Sequence, residues 1–515
     1  MKRILAFFLA AALAAGALAG CGETDSPYVA TGDALDSEQD SPTSQTVDAE
    51  QVLALAYNPE DSLNPYQATD TNNRVLFSLI YQGLFSVDRS YNVQPVLCGS
   101  YSVSQDMCSY TFYPAQAYFS DGTALTAEDI AASLNAARKG DYYAGRFLHV
   151  ESITVSADGG VTVRLDTAYE NLPLLLDIPI VKASQVSDAA PIGTGAYVLE
   201  STDGGMQLRR QSIWWCSGVS MPVTAATVTL VEASTASEIR DGFEFAQLSV
   251  ACTDPGSDDY VDYRCDYELW ECENGLFLYI AFNQDKGLFT DTALRAALTY
   301  AIDRDTLVET YFGGFARSAS LPASPSSPYY TESLASRYSY DPQQFTDTVA
   351  AAEISQSKIV LLVNQGDSRR VKVASAIAEM LAQCGLTVTV ESADSEEFLE
   401  RLADGDYDLY LGQTKLSANM DLSAFFLEDG GLCFGGMANA TVYTMCQEAL
   451  ENSGNYYNLQ KTVMDEGLLC PILFRSYAVY TRRGVVSDLE PARDNLFYYS
   501  LGRSLADARI AESGE

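Results

Sequence analysis

The chain holds a single histidine in 515 residues. A His-x-x-x-His zinc site is therefore impossible, and a Ser-His-Asp or Cys-His nucleophile would have to use His149 itself. His149 lies in Arg146-Phe147-Leu148-His149-Val150, just ahead of an alternating segment, where a surface or partly buried structural histidine is expected. No Cys-x-x-Cys pair occurs among the 11 cysteines, which removes the usual zinc-knuckle signature. Basic residues are scarce as well. There are 31 Lys and Arg against 69 Asp and Glu, a formal net charge of -38. Such a field repels nucleic acid and anionic lipid headgroups. Its plain reading is solubility; a sharper one is a preference for cationic ligands. Beyond the first twenty residues no apolar run is long enough to span a bilayer. The length leaves room for two or three domains.

What is present begins at the N-terminus. Met1-Lys2-Arg3 precedes an apolar run over residues 4–20 that closes on Leu18-Ala19-Gly20-Cys21. A charged start, a short hydrophobic stretch and small residues at a cut site define a secretory signal over residues 1–20; a short membrane anchor is the alternative. The cysteine after Leu-Ala-Gly resembles a bacterial lipobox, which implies that Cys21 carries the acyl chains and becomes the new N-terminus. Residues 21–50 are rich in Asp, Ser, Thr, Gly and Glu and bury too little apolar surface to fold, so they read as an acidic flexible linker. Of the other cysteines, Cys98 with Cys108 and Cys265 with Cys272 are close enough in sequence to pair. Buried free thiols are the equal alternative.

The body has two textures. In its first half, residues 51–57 alternate as a strand and Pro59 to Tyr66 form a loop. Residues 72–84 read as a helix with Val75, Leu76, Leu79, Ile80 and Leu84 on one face. Two short strands flank a Gln105-Asp106 turn, Asp121-Gly122 makes a corner, Thr126 opens a helix with Asp129 reaching back, and residues 151–165 form a hairpin about Gly159-Gly160. In the second half, strands at 358–364, 386–391 and 407–411 alternate with helices at 371–381 and 396–402. Val371, Ala374, Ile377, Ala378 and Leu381 are expected to face inward. This β-α-β-α-β order predicts an open sheet with helices on its faces.

Five motifs in order carry a resemblance. They are Leu63-Asn64-Pro65-Tyr66 with Leu79-Ile80-Tyr81-Gln82-Gly83-Leu84; Tyr110-Thr111-Phe112, Phe119-Ser120-Asp121-Gly122 and Leu125-Thr126-Ala127-Glu128-Asp129-Ile130; Pro191-Ile192-Gly193-Thr194-Gly195-Ala196-Tyr197 with Trp214-Trp215; Phe282-Asn283 through Tyr300-Ala301-Ile302-Asp303-Arg304; and Tyr340-Asp341-Pro342. Over residues 53–501 the chain resembles the extracytoplasmic solute-binding proteins of ABC transporters, family 5, the oligopeptide, dipeptide and nickel group. Most motif residues read as structural: Gly193 and Gly195 as a tight turn, Asp303 as a helix cap.

The resemblance implies an α/β, two-lobed periplasmic-binding-protein-like fold with mixed sheets. The first lobe is discontinuous (51–75, 177–271 and 470–505) and carries an inserted subdomain (76–176). The second lobe is continuous (272–469). Two hinge strands are expected near 270–277 and 468–480, and the lobes close on the ligand. In peptide-binding relatives the ligand lies like an added strand. The corresponding residues here are Pro59, Glu60, Asp61 and Ser62 on one side and Thr414, Lys415 and Leu416 on the other, with Asn419 and Asp421 following. The carboxylate that meets a peptide ammonium in those relatives falls on Ala418, or on Asn419 after a one-residue slip. A free peptide N-terminus therefore loses its anchor unless Glu60 or Asp61 supplies one, and Lys415 points instead to an anionic ligand or is a solvated surface residue. The implied partners are a small solute or oligopeptide, permease subunits of an ABC importer, and the membrane through the lipid anchor. No nucleic acid, resident cofactor or metal is implied, and the chain is expected to be a monomer rather than an enzyme. The runner-up readings are a binder of oligosaccharide or chelate and, behind it, a secreted glycosidase with two carboxylates.

Overall fold

Alternation in the first half becomes sheet. Leu53–Tyr57 pairs in parallel with Thr227–Glu232, which continues into the antiparallel hairpin of Gly205–Arg210 and Tyr197–Thr202. The computed structural model describes residues 53–508 except 258, 259, 261, 262, 353, 355–357, 487 and 488. The signal segment, Cys21, the acidic linker and the first two residues of the expected 51–57 strand lie outside the described residues.

A second, wholly antiparallel sheet orders Cys98–Val103, Ser109–Pro114, Val161–Leu165 and Val150–Val155. Its last hairpin turns at Gly159, whose φ of 87° suits glycine. Beside it runs the helix Ala127–Ala137. Thr126 Oγ1 accepts from Asp129 N while the Asp129 carboxylate accepts from Thr126 N, a complete capping box. Ile130 and Leu134 are fully buried on its inner face.

The helix expected at 72–84 breaks. Thr71–Val75 and Phe77–Ile80 are separate turns, and Gln82–Gly83 pairs with Pro179–Ile180 as a strand. The cause is long-range. Gly195 N donates to Ile80 O at 2.9 Å and takes the carbonyl that helix continuation needs. This approach is possible only without side chains: a Cβ at Gly195 would collide with Leu79 O and Ile80, and one at Gly193 with Ile80 O. Neither glycine has a left-handed φ, so both serve close backbone packing and not the tight turn expected of them.

The second half forms most of a seven-stranded mixed sheet ordered Val250–Thr253, Cys470–Thr481, Glu268–Phe282, Leu409–Lys415, Val360–Asn364, Thr389–Ala393, with Ala316–Ser318 added to Cys470–Thr481. The β-α-β-α-β unit is present, with Val360–Asn364 parallel to both of its neighbours. The helix Ser368–Gln383, capped by Asp367, buries Val373, Ala374, Ile377 and Leu381. Val373 is buried in the place expected of Val371, and Val371 and Ala378 are only partly buried. Asp303 caps Arg304–Phe312 as expected, accepting from Thr306 N at 3.1 Å.

The two long strands Glu268–Phe282 and Cys470–Thr481 pair antiparallel. Their ladder slips between Glu273 and Phe277, at Gly275 with φ 72°. A slip of this kind bends the strand and raises its twist. All ten cysteines among the described residues are free, so neither Cys98–Cys108 nor Cys265–Cys272 is a disulfide.

Candidate functional site

The slip at Gly275 opens room for a side chain from a distant segment. A Cβ at Gly275 would collide with the Arg493 guanidinium. Arg493 is only 6 % exposed. Its Nη2 donates to Leu416 O, while Nε and Nη1 have no hydrogen-bond partner among the described residues. An unmatched buried cation is costly, and this one borders a cavity of about 100 Å³.

Other charged groups reach the same cavity from separate elements. Asp70 caps the short helix Thr71–Val75 by accepting from Asn72 N at 2.8 Å, and the helix carries Arg74 into the wall. The Arg74 guanidinium lies 3.3 Å from the Tyr142 ring centroid, a cation–π contact. Arg146, on the turn Ala144–Phe147, pairs with Asp177 and lies 3.8 Å from Asp494. Lys415, at the end of Leu409–Lys415, donates to Asp494 Oδ1 at 2.6 Å and to Tyr142 OH at 2.7 Å. Burial pushes the Lys415 ammonium down to about 8, against the pull of Asp494. Burial raises the Asp494 carboxyl, but Lys415, Arg493 and Arg146 outweigh it and hold the group below its ordinary value. Asp494 Oδ2 has no hydrogen-bond partner among the described residues. Arg74, Arg146 and Arg493 against Asp177 and Asp494 leave one net positive charge on the cavity lining. The preference for cations suggested by the global charge is thus reversed locally.

A larger cavity, about 320 Å³, lies at the other end of the same short helix and is lined by Asp70, Thr71, Ser234, Arg240, Asp254 and Tyr260, among others. Arg475 closes off its surroundings by donating to both Asp254 oxygens at 2.8 Å and to Asp367 at 3.2 Å.

The sequence-predicted residues divide three ways. Lys415 lines neither cavity but backs the cationic one, bonded to its lining residues Asp494 and Tyr142, so it is a buried paired lysine and not a solvated surface one. Leu416 does not offer its backbone to a ligand: its N–H donates to Gly275 O and its carbonyl accepts from Arg493. Thr414 sits opposite Phe277 in the sheet ladder. Pro59, Glu60, Asp61 and Ser62 line neither cavity. Burial raises the Asp61 carboxyl, but the N–H groups of Asp70 and Thr69, bound at 2.7 and 2.9 Å, prevail and lower it. Ser62 Oγ donates to Ala189 O at 3.1 Å. This loop therefore braces the helix that bears Arg74.

Asn419 and Asp421 form a separate cluster. Asn419 Nδ2 donates to Tyr169 OH. Asp421 Oδ2 lies 3.2 Å from His149 Nε2, and Asp166 Oδ1 lies 2.9 Å from His149 Nδ1. His149 is 4 % exposed, so it is a buried ionic link and not the surface or partly buried histidine expected. Ser423 Oγ stands 3.2 Å from His149 Nε2. The resulting Ser-His-Asp grouping lacks the geometry of a nucleophile, because Ser423 is fully buried and its hydroxyl donates to Asp421 at 2.6 Å.

Sequence reasoning missed Arg74, Arg146, Arg493 and Asp494. Their segments are far apart in the chain. The available signal was the scarcity of basic residues, which makes each buried arginine informative.

This arrangement, a mixed α/β body with a charged chamber shared by distant segments, is that of a binding protein. The family model for bacterial extracellular solute-binding proteins, family 5 (middle), matches residues 92–429, and the chain belongs to that family. The glutathione-binding protein GsiB of Salmonella paratyphi A is 26% identical over 376 residues, covering 67% of this chain and 70% of its own. Among solved structures, the ABC transporter substrate-binding protein CtaP of Listeria monocytogenes aligns with TM-score 0.70 and 17% identity, over 87% of this chain and 97% of its own. NikA of Brucella suis, solved with Fe(III)-EDTA, aligns with TM-score 0.66 and 18% identity, over 87% of this chain and 100% of its own. The fold is thus the two-lobed, mixed α/β architecture of periplasmic-binding-type proteins. No helix among the described residues is long and apolar enough to cross a membrane.

Proposed function

We propose that this chain is a receptor tethered through acylated Cys21 at the outer face of the cytoplasmic membrane, which captures a small solute, a short peptide first among the choices, and hands it to an ABC importer permease. Residues 51–75, 177–271 and 470–505 form its first lobe, 76–176 the inserted subdomain and 272–469 the second lobe. One observation carries this reading. The cationic cavity is lined by Arg74, Arg146, Asp177 and Arg493, one from each of 51–75, 76–176, 177–271 and 470–505, and Lys415 of 272–469 backs it by bonding its lining residues Asp494 and Tyr142. A cavity shared by the segments of the first lobe and its inserted subdomain, and backed by a residue of the second lobe, lies where hinge closure can act on a captured ligand. Glutathione in the name of the GsiB relatives and Fe(III)-EDTA in the NikA structure favour small multidentate solutes.

The test is thermal unfolding of the folded body against free and N-acetylated di- to hexapeptides and glutathione. A ligand at a hundredfold its dissociation constant adds about 2.7 kcal/mol. Stabilisation by acetylated and free peptides alike supports capture without an ammonium anchor; a flat response across all pools removes peptides as the ligand class. Cys21→Ser tests the tether, with release of the protein into the medium as the expected result.

A further inference from the structure

We propose that the captured solute is a small acid, carrying a carboxylate or like oxyanion that seats on Arg493 and a hydrogen-bond donor that reaches Asp494. This rests on the solute-receptor reading and specifies its substrate class.

The argument is one of unmatched groups. Arg493 is more than nine-tenths buried, and two of its three guanidinium nitrogens lack a partner among the described residues. The third holds Leu416 O, which fixes the orientation of the fork. Gly275 leaves the space that this orientation needs. A neutral sugar hydroxyl would satisfy an N–H yet leave the net positive charge of the lining in place, and a cation would add to the repulsion among Arg74, Arg146 and Arg493. Only an anion answers both the unpaired donors and the net positive charge of the lining. Asp494 supplies the second half of the code. Its Oδ1 is occupied by Lys415, but Oδ2, 3.8 Å from Arg146, has no hydrogen-bond partner among the described residues. An acceptor beside an unmatched guanidinium selects a solute whose anionic group and donor lie close together, as in an acidic amino-acid derivative or an acidic short peptide. The carboxylate absent at Ala418 is thereby replaced by one from the C-terminal segment.

Titration calorimetry at fixed ionic strength decides it, with five probes: triglutamate, its side-chain and C-terminal amide, triglycine, trilysine and maltotriose. The expected result is triglutamate binding tighter than its amide by roughly 10- to 100-fold, the worth of one charge-assisted hydrogen bond. Arg493→Gln should lose that ratio, and Arg493→Lys should keep part of it; unliganded melting of both variants reports on the Leu416 contact. Equal binding of acid and amide, or preferential binding of trilysine or maltotriose, overturns the acid assignment and leaves the receptor reading standing. Binding by none of the five to the folded protein overturns the acid assignment and counts against the receptor reading as well.

Discussion

His149 is the only histidine of the chain, so its ionisation can be followed without interference. Burial lowers its pKa, yet the bonds and charges of Asp421 and Asp166 prevail and raise it above the usual 6.5. The folded-state value is thus above the unfolded one, so the stabilisation is fully present below about pH 6.5 and is lost as pH rises through the folded value. The link joins the end of the second sheet to the segment after Leu409–Lys415, that is, the proposed inserted subdomain to the proposed second lobe. Asp421 is nearly buried, whereas the Asp166 side chain is 46% exposed, so Asp421 carries most of the effect. Removing one partner of a buried pair costs about 3–5 kcal/mol. His149→Gln should sit near the low end, because Asp421 retains the Ser423 N–H and hydroxyl. The assay is a 13C-histidine NMR titration, which yields one resonance, paired with melting curves across neutral pH. Wild type should lose stability toward alkaline pH while His149→Gln stays flat. A titration midpoint below about 6.5, or parallel melting profiles for the two proteins, would refute the reasoning.

Gly195→Ala forces a methyl group onto Leu79 O and should cost about 1–3 kcal/mol in urea unfolding with an unchanged m value. Reductive 13C-methylation should find the Lys415 amine titrating near 8. The unfavourable burial of its charge is felt below that pH and relieved as pH climbs toward the unfolded value of about 10.4, and Asp494→Asn should lower its midpoint further. The thiols of Cys98, Cys216 and Cys252 are pushed by burial up to about 12, so a thiol reagent at mildly alkaline pH should label them slowly in the native protein and rapidly in urea.

Much of the fold could be read ahead because local chemistry agrees with it. The caps at Thr126 and Asp303 and the hairpin glycine at 159 mark their elements within a few residues. Failure came where a distant segment overrules local preference, as when Gly195 claims Ile80 O and ends the helical stretch ahead of the strand Gln82–Gly83. The site was legible only through Lys415, a departure from the peptide-binding pattern that backs the cavity through Asp494 without lining it. Arg493 is invisible from its neighbours, because its burial depends on a glycine more than two hundred residues earlier. The Pro59 to Ser62 loop misled for a related reason: Asp61 spends its acceptors on the backbone of Thr69 and Asp70, and no sequence pattern announces that commitment.

A positive chamber inside a body of net charge -38 sets the kinetics of loading as well as its equilibrium. An approaching acid meets a repulsive far field before it meets the arginines. Mobile salt screens that far field, whose range is about 8–10 Å at physiological strength, but hardly touches contacts within a closed chamber. Added salt should therefore quicken capture while leaving escape nearly unchanged, the reverse of the behaviour of oppositely charged partners. A receptor built in this way fills fastest in brine and slowest in dilute water.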